Sequence, residues 1–434
     1  MKKRKFDAVV LGSGVGGLCA AARMMRMDMK VLVVERLPFL GGRFSTRLIK
    51  GFRLPTGAMV VPHGPRSAFQ EAFDLAGIPL EVRMPKGETT YRLPHGDYEV
   101  PPDGGGMAGM LEFALQDKEE AKRVFREFKR ALVWWEPVGN ITFRQWLEQH
   151  THNTNVHNMF QGFCAAFVGV NSNEVPASEF FRFIKAMGRN VAYGIAPMGN
   201  MKLMNDLADG IADKGVDIVR ECNCKQILVE KNMVTGVIIE KNMQEELIEA
   251  DFVISNAGPS QTVVLAGPEN FELSYLTLLR EHNFTVPVVY IAISSPEPLN
   301  KRHGVLNFGN TRRLVFLETP TITCPELAPE GRHMTITFSV PKFSTGPLNL
   351  RETIDMALLD LQENFPGFKN AELLHVGTHH GDWPTMHRWP GYPMPIRTSI
   401  ENLYNVGDGC MPSGTVGVEA CAITARMVAD DIKR

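Results

Sequence analysis

Apolar and polar positions along this chain switch between a short and a long period, and each switch marks an element. Phe6 to Leu11 reads as a buried strand; small and apolar residues over 18–27 then recur at helical spacing, and 30–34 is a second apolar strand. Between 107 and 135, Ala121, Val124, Phe125, Phe128, Leu132 and Trp135 recur among Lys and Glu, which predicts one helix with one buried face. Helices are also predicted over 143–149, 156–167, 178–187, 202–214 and 350–365, with a last one running to Ile432. Short strands fall at 217–219, 226–230, 234–240, 251–255, 286–294, 333–340 and 402–406.

The glycines between the first strand and helix carry the chemistry. Gly12-Ser13-Gly14-Val15-Gly16-Gly17 joins the two, and the second strand ends on Glu35. Strand, glycines, helix, strand and acid in that order define a dinucleotide-binding βαβ unit. Gly12 serves the tight turn, Gly14 lets backbone approach a pyrophosphate, and Gly17 lets the helix pack close to the sheet. The helix aims its unpaired N–H groups at the phosphates, and Glu35 is placed to accept from an adenosine ribose. Arg36 follows, and then Gly41-Gly42-Arg43, a turn that brings backbone and a guanidinium to the pyrophosphate and suits FAD, held extended and buried. Near the other end, the strand at 402–406 runs into Gly407-Asp408-Gly409, and Val416-Gly417-Val418 opens the last helix. Asp408 is expected beside a ribityl or phosphate group, and the helix N-terminus beside the isoalloxazine ring. Gly104 to Gly109 also satisfies the GxGxxG spacing, but it follows Pro101-Pro102-Asp103 and leads to no strand ending in an acid. It reads as a loop and helix entry, so no separate nicotinamide nucleotide domain is expected.

At 434 residues the chain exceeds one ordinary core. The cofactor segments are remote in sequence, so the nucleotide domain must be discontinuous. The predicted class is α/β: a Rossmann-like FAD-binding domain built from 1–95, 196–265 and 396–434, with an inserted α+β substrate domain from 96–195 and 266–395. A net charge of −2 gives no long-range pull toward nucleic acid, and none is expected as a partner. Lys2-Lys3-Arg4-Lys5 before apolar residues imitates a signal peptide, but Asp7 interrupts the run. The apolar patches fall short of the ~20 residues that span a bilayer. The expected location is the cytoplasm, with at most contact to a membrane surface. Among seven cysteines only Cys222 and Cys224 are near neighbours, and neither disulfide nor metal clip is expected. Cys410 should lie close to the cofactor, as a packed thiol or a point of covalent attachment.

With these segments and the run Ala250-Asp251-Phe252-Val253-Ile254-Ser255-Asn256-Ala257-Gly258-Pro259, the chain resembles the flavin superfamily of phytoene desaturases, carotenoid isomerases, protoporphyrinogen oxidases and amine oxidases. The desaturase branch matches that last run. The resemblance implies that the strand at Cys224 offers backbone groups to the adenine. It also places the family's usual glycine pair where this chain has Gly199-Asn200, a departure. Amine oxidases of the superfamily often carry a lysine on a substrate-domain strand near the flavin. The strand at 286–293 has none, and Lys301 and Lys342 sit in loops.

The substrate side is less specific. His375, His379 and His380 lie close together, but on a strand that spacing spreads the rings, so no metal is expected. His379, His380, Trp383, Trp389 and Tyr392 are the candidates to line a cavity facing the flavin. No general base stands out. The expectation is an FAD oxidoreductase that dehydrogenates a C–C bond of a small apolar, polyprenoid-like substrate and passes electrons to a quinone or oxygen. Amine or protoporphyrinogen oxidation with peroxide formation, and FAD-dependent isomerisation without net redox, are the alternatives. Oligomeric state is left open.

Overall fold

The computed structural model describes residues 3–87, 89–101, 106–134, 138, 140–187 and 191–434. Gly104, Gly105 and Trp135, used in the sequence reading, lie outside the described residues.

The first strand, Lys3–Leu11, sits between Val31–Val34 and Gln244–Ser255, parallel to both. Asp217–Val219 extends the sheet in parallel beyond Val31–Val34. On the other side the order continues through Met233–Lys241 to Asn223–Glu230, both antiparallel. Gln244–Ser255 runs twelve residues, longer than its apolar end suggests. Its polar first half pairs with Met233–Lys241, while its apolar second half pairs in parallel with Leu403–Asn405. One strand thus ties the C-terminal segment to the N-terminal βαβ unit. Helix Val15–Met25, buried along its whole length, packs against the last helix, Gly417–Ile432, over one face of this sheet.

A second sheet, also seven-stranded, has the order Glu372–His379, Val288–Ser295, His333–Ser339, Leu314–Glu318, Leu306–Phe308, Thr90–Leu93 and Gly96–Glu99. Thr90–Leu93, which the expected division at residue 95 assigns to the nucleotide domain, is a strand of this second sheet. It pairs in parallel with Leu306–Phe308, and Thr90 and Tyr91 are buried, Tyr91 against the helical segment. Helix Leu350–Asn364 covers the far face of this sheet.

The helix predicted over 107–135 is two helices, Gly106–Leu115 and Lys118–Val133. Gln116 takes φ 55°, and the Asp117 carboxylate caps the next turn, accepting from the Glu119 and Glu120 N–H groups at 2.9 and 3.0 Å. The helical segment is held by aromatic packing: Phe128 touches Phe143, Trp146, Phe160, Phe180 and Phe181, all with ring centroids within 6.3 Å. Helix Thr154–Phe163 widens into a π turn, Cys164–Val168, and stops at Gly169.

The turn at Gly12 needs φ +92°, and a Cβ on Gly17 would lie 2.0 Å from the Gly12 carbonyl oxygen. Gly17→Ala should therefore push the helix off the sheet and cost about 1–3 kcal/mol or more, read as a lower urea midpoint with an unchanged slope.

Candidate functional site

A cavity of about 2050 Å³ opens at the C-terminal ends of Lys3–Leu11 and Val31–Val34, the switch point where an open α/β sheet receives its ligand. It continues to the second sheet, where Val288, Phe316 and Phe338 line it. The volume exceeds the ~300–1,000 Å³ of a single-ligand pocket. It has room for a dinucleotide and a second molecule.

Three remote segments close on one side chain. A Cβ on Gly14 would lie 2.5 Å from Asn256 Nδ2, and one on Gly16 or Gly407 would lie 2.6 or 2.5 Å from Asn256 Oδ1. Only hydrogen at those positions lets the N-terminal turn, the end of the long strand and the C-terminal turn meet. Glu35 is buried and closes the turn: its carboxylate accepts from Ser13 N–H at 2.7 Å, Ser13 Oγ at 2.6 Å and Leu37 N–H at 2.8 Å. About four lone-pair sites are present on a carboxylate, which leaves room for one outside hydroxyl. Arg36 is exposed at the rim, and Cys224 lines the same end of the cavity.

Arg43 and Asp408 face each other. The guanidinium donates to both carboxylate oxygens, at 2.7 and 2.8 Å, and also to the Pro384 carbonyl at 2.9 Å. His387 joins the pair through its backbone N–H, 3.0 Å from Asp408 Oδ2, and its Nδ1, 3.1 Å from Oδ1. Burial pushes the Asp408 carboxyl up, but Arg43 and His387 outweigh it and hold the group well below the usual carboxylate range.

Val416, Gly417 and Val418 all line the cavity at the start of the last helix, whose first turn has no side-chain cap. A second ion pair positions them. Arg388, with no exposed surface, sits 3.4 Å from Glu179 and donates to the Thr415 carbonyl at 2.8 Å, while Glu179 accepts from Gly414 N–H at 2.9 Å. Glu419 braces the helix from its other side, accepting from Ser67 Oγ and Ala68 N–H, both at 2.6 Å.

The residues present fit FAD. A Cβ at Gly42 or at Gly417 would meet no protein atom within 4 Å, and both glycines line the cavity. Two uncapped helix N-termini face it, at Val15 and Gly417. The departure at Gly199-Asn200 lies outside the cavity lining: Asn200 is buried and donates to the Ala58 carbonyl at 2.9 Å. Cys410 packs into the core behind the first sheet with its Sγ 3.4 Å from the Pro395 carbonyl, a packed thiol outside the lining.

Of the five aromatic and histidine candidates, His379 and Trp383 line the cavity. The other three correct the expectation. His380 is exposed because the strand Glu372–His379 ends one residue before it. Trp389 packs into the helical cluster, and Tyr392 is exposed beside His282. His375 and His379 flank Tyr290, with ring centroids 6.0 and 6.1 Å from it. Burial, with Arg43 nearby, lowers His379 to about 4 and keeps it neutral. Among the described residues no group of three or more His, Cys, Asp or Glu is placed to hold a metal.

Sequence reasoning missed Glu179, His387, Arg388 and Glu419, and it missed Asn307 and Glu318 on the second sheet. Asn307 interrupts the apolar run Val305-Leu306-Asn307-Phe308, and Glu318 ends Leu314-Val315-Phe316-Leu317. A polar residue inside or closing a buried strand was the available signal. Both line the cavity.

A family model described as flavin-containing amine oxidoreductase matches residues 15–433, and the chain belongs to that family. It is therefore an FAD-dependent oxidoreductase. The carrot (Daucus carota) chloroplastic prolycopene isomerase is 24% identical, aligned over 99% of this chain and 80% of its own. A phytoene desaturase of Pseudescherichia vulneris is 23% identical over 98% of this chain and 99% of its own. The crystal structure of an oxidoreductase from Methanosarcina mazei superposes with a TM-score of 0.86 at 28% identity, covering 98% of this chain and all of that one.

Two predictions follow from the charges. Asp408→Asn leaves Arg43 without its anion and should cost about 2–4 kcal/mol, less than for a fully dry pair because Arg43 keeps some solvent, measured by denaturation. Burial raises Glu318 from 4.5 to about 7. The folded state then holds the extra proton between those values, so this group's contribution is complete at acid pH and is lost as pH rises toward 7. Glu318→Gln should match wild type near pH 4 and exceed it by about 1–3 kcal/mol near pH 8.

Proposed function

We propose that this chain dehydrogenates a C–C bond of an apolar, polyprenoid-like substrate. The observation that carries the reading is the apolar extension of the cavity, where Phe167, Phe183, Phe316, Phe338, Val288 and Met386 form walls far larger than a small polar substrate requires. Bound FAD supplies a two-electron acceptor for a hydride from one carbon while the neighbouring carbon loses a proton, and a quinone or oxygen takes the electrons onward. Gly12, Gly14, Gly17, Glu35, Arg36, Gly42, Arg43, Cys224, Gly407, Asp408 and Val416-Gly417-Val418 hold that cofactor in this reading. The first sheet and its helices form the cofactor part and the second sheet with the helical segment forms the substrate part. The aromatic walls orient the chain of the substrate and exclude water. His379, kept neutral, adds no charge to the chamber.

Relatives named for phytoene and prolycopene support this class. The absence of lysine from the cavity lining among the described residues weighs against amine oxidation; Lys301 and Lys342 are exposed. The prolycopene isomerase relative supports a second reading, isomerisation without net electron transfer.

Anaerobic mixing of the holoenzyme with phytoene, protoporphyrinogen and benzylamine, followed by flavin absorbance, separates the readings. Bleaching by phytoene is expected. Bleaching by the amine or the porphyrinogen alone defeats the proposal, and isomerised polyene with no bleaching establishes the second reading. Gly417→Leu, strained at φ +70° and projecting into the cavity, should yield protein purified largely without flavin.

A further inference from the structure

Polar atoms buried without a protein partner are uncommon, because each forfeits the hydrogen bonds it makes in water. Three such atoms meet on the cavity face of the second sheet. Asn307 has no exposed surface, and among the described residues neither its Oδ1 nor its Nδ2 finds a partner; Glu318 is 3% exposed, and its Oε2 finds none there either. Leu306–Phe308 and Leu314–Glu318 are antiparallel with Leu306 opposite Leu317 and Asn307 opposite Phe316. That register puts Asn307 and Glu318 on one face as diagonal neighbours, roughly 7–8 Å apart. Both line the cavity, as does Phe316, directly opposite Asn307. The surrounding walls are apolar.

We infer that Asn307 and Glu318 are the polar end of the chamber and hold an uncharged oxygen function, a carbonyl or hydroxyl, on an otherwise apolar substrate. The Asn307 amide donates through Nδ2 and accepts through Oδ1, and a neutral carboxyl also does both. Together they suit a carbonyl, which needs donors, or a hydroxyl, which needs one of each. Among the described residues burial alone acts on Glu318, and it favours the neutral form. A hydrocarbon would leave all three atoms unpaired, so the pair discriminates against it. The inference rests on the apolar-chamber reading and narrows its substrate class.

The test uses farnesylacetone and the hydrocarbon in which a methylene replaces its carbonyl. Each is titrated into the holoenzyme and read by the flavin spectrum and by equilibrium dialysis, with dodecylamine as a cationic probe. The ketone is expected to bind at least about tenfold tighter than the hydrocarbon. Glu318→Gln, which still donates and accepts, should keep most of that preference, and Glu318→Leu and Asn307→Leu should each reduce it to about threefold or less. Should a leucine variant lose its flavin, Asn307→Ser and Glu318→Met take its place. Equal binding of ketone and hydrocarbon, or a preference that survives both truncations, overturns the inference and leaves the chamber reading standing. Amine binding tighter than the ketone and abolished in Glu318→Gln overturns it in favour of an ionised carboxylate. If neither ketone nor hydrocarbon binds, the apolar chamber itself is disproved.

Discussion

The bidentate contact between Arg43 and Asp408 is the constraint on which the site depends. Residues 365 apart in sequence meet at 2.7 and 2.8 Å, and His387 and the Pro384 carbonyl complete the ring of partners. Such a pair is strong only because the segments carrying it are held independently. Arg43 follows the turn that leaves the N-terminal βαβ unit, and Asp408 follows a strand hydrogen-bonded to Gln244–Ser255. The sheet brings the charges near, and the charges fix the turns. A largely buried pair makes this arrangement unforgiving, since either partner alone would be an uncompensated ion.

The same logic recurs at a second ion pair. Arg388 and Glu179 are more deeply buried than Arg43 and Asp408, and they also bond to backbone at Thr415, Trp389 and Gly414. That converts an ion pair into a clamp on the loop preceding the last helix. Glu179 can serve because its neighbours Phe180 and Phe181 are locked in the aromatic cluster of the helical segment. The helical segment is therefore tied to the loop before the last helix through one carboxylate.

What could be read from the chain beforehand follows from how local each signal is. Gly12, Gly14, Gly17 and Glu35 announce themselves because strand, turn and helix lie within a short stretch, and the period of the apolar residues changes where the glycines fall. Asp408 and Gly417 were legible for the same reason. The place of Thr90–Leu93 in the second sheet was not, because that short strand pairs with residues more than two hundred positions later. Trp389 and Tyr392 lie on irregular chain whose direction no pattern predicts: the first packs into the helical cluster and the second faces solvent. Glu179 carries no pattern of its own: on an amphipathic helix it looks like any solvated acid, and only the fully buried Arg388 gives it meaning.

The pairing of Leu403–Asn405 with Gln244–Ser255 has a bearing on biosynthesis. Until the ribosome has passed residue 408, Arg43 has no anion opposite it and the cleft lacks one wall. A cleft that could receive a coenzyme is therefore complete only once the segment at 403–408 has been made and has joined the sheet.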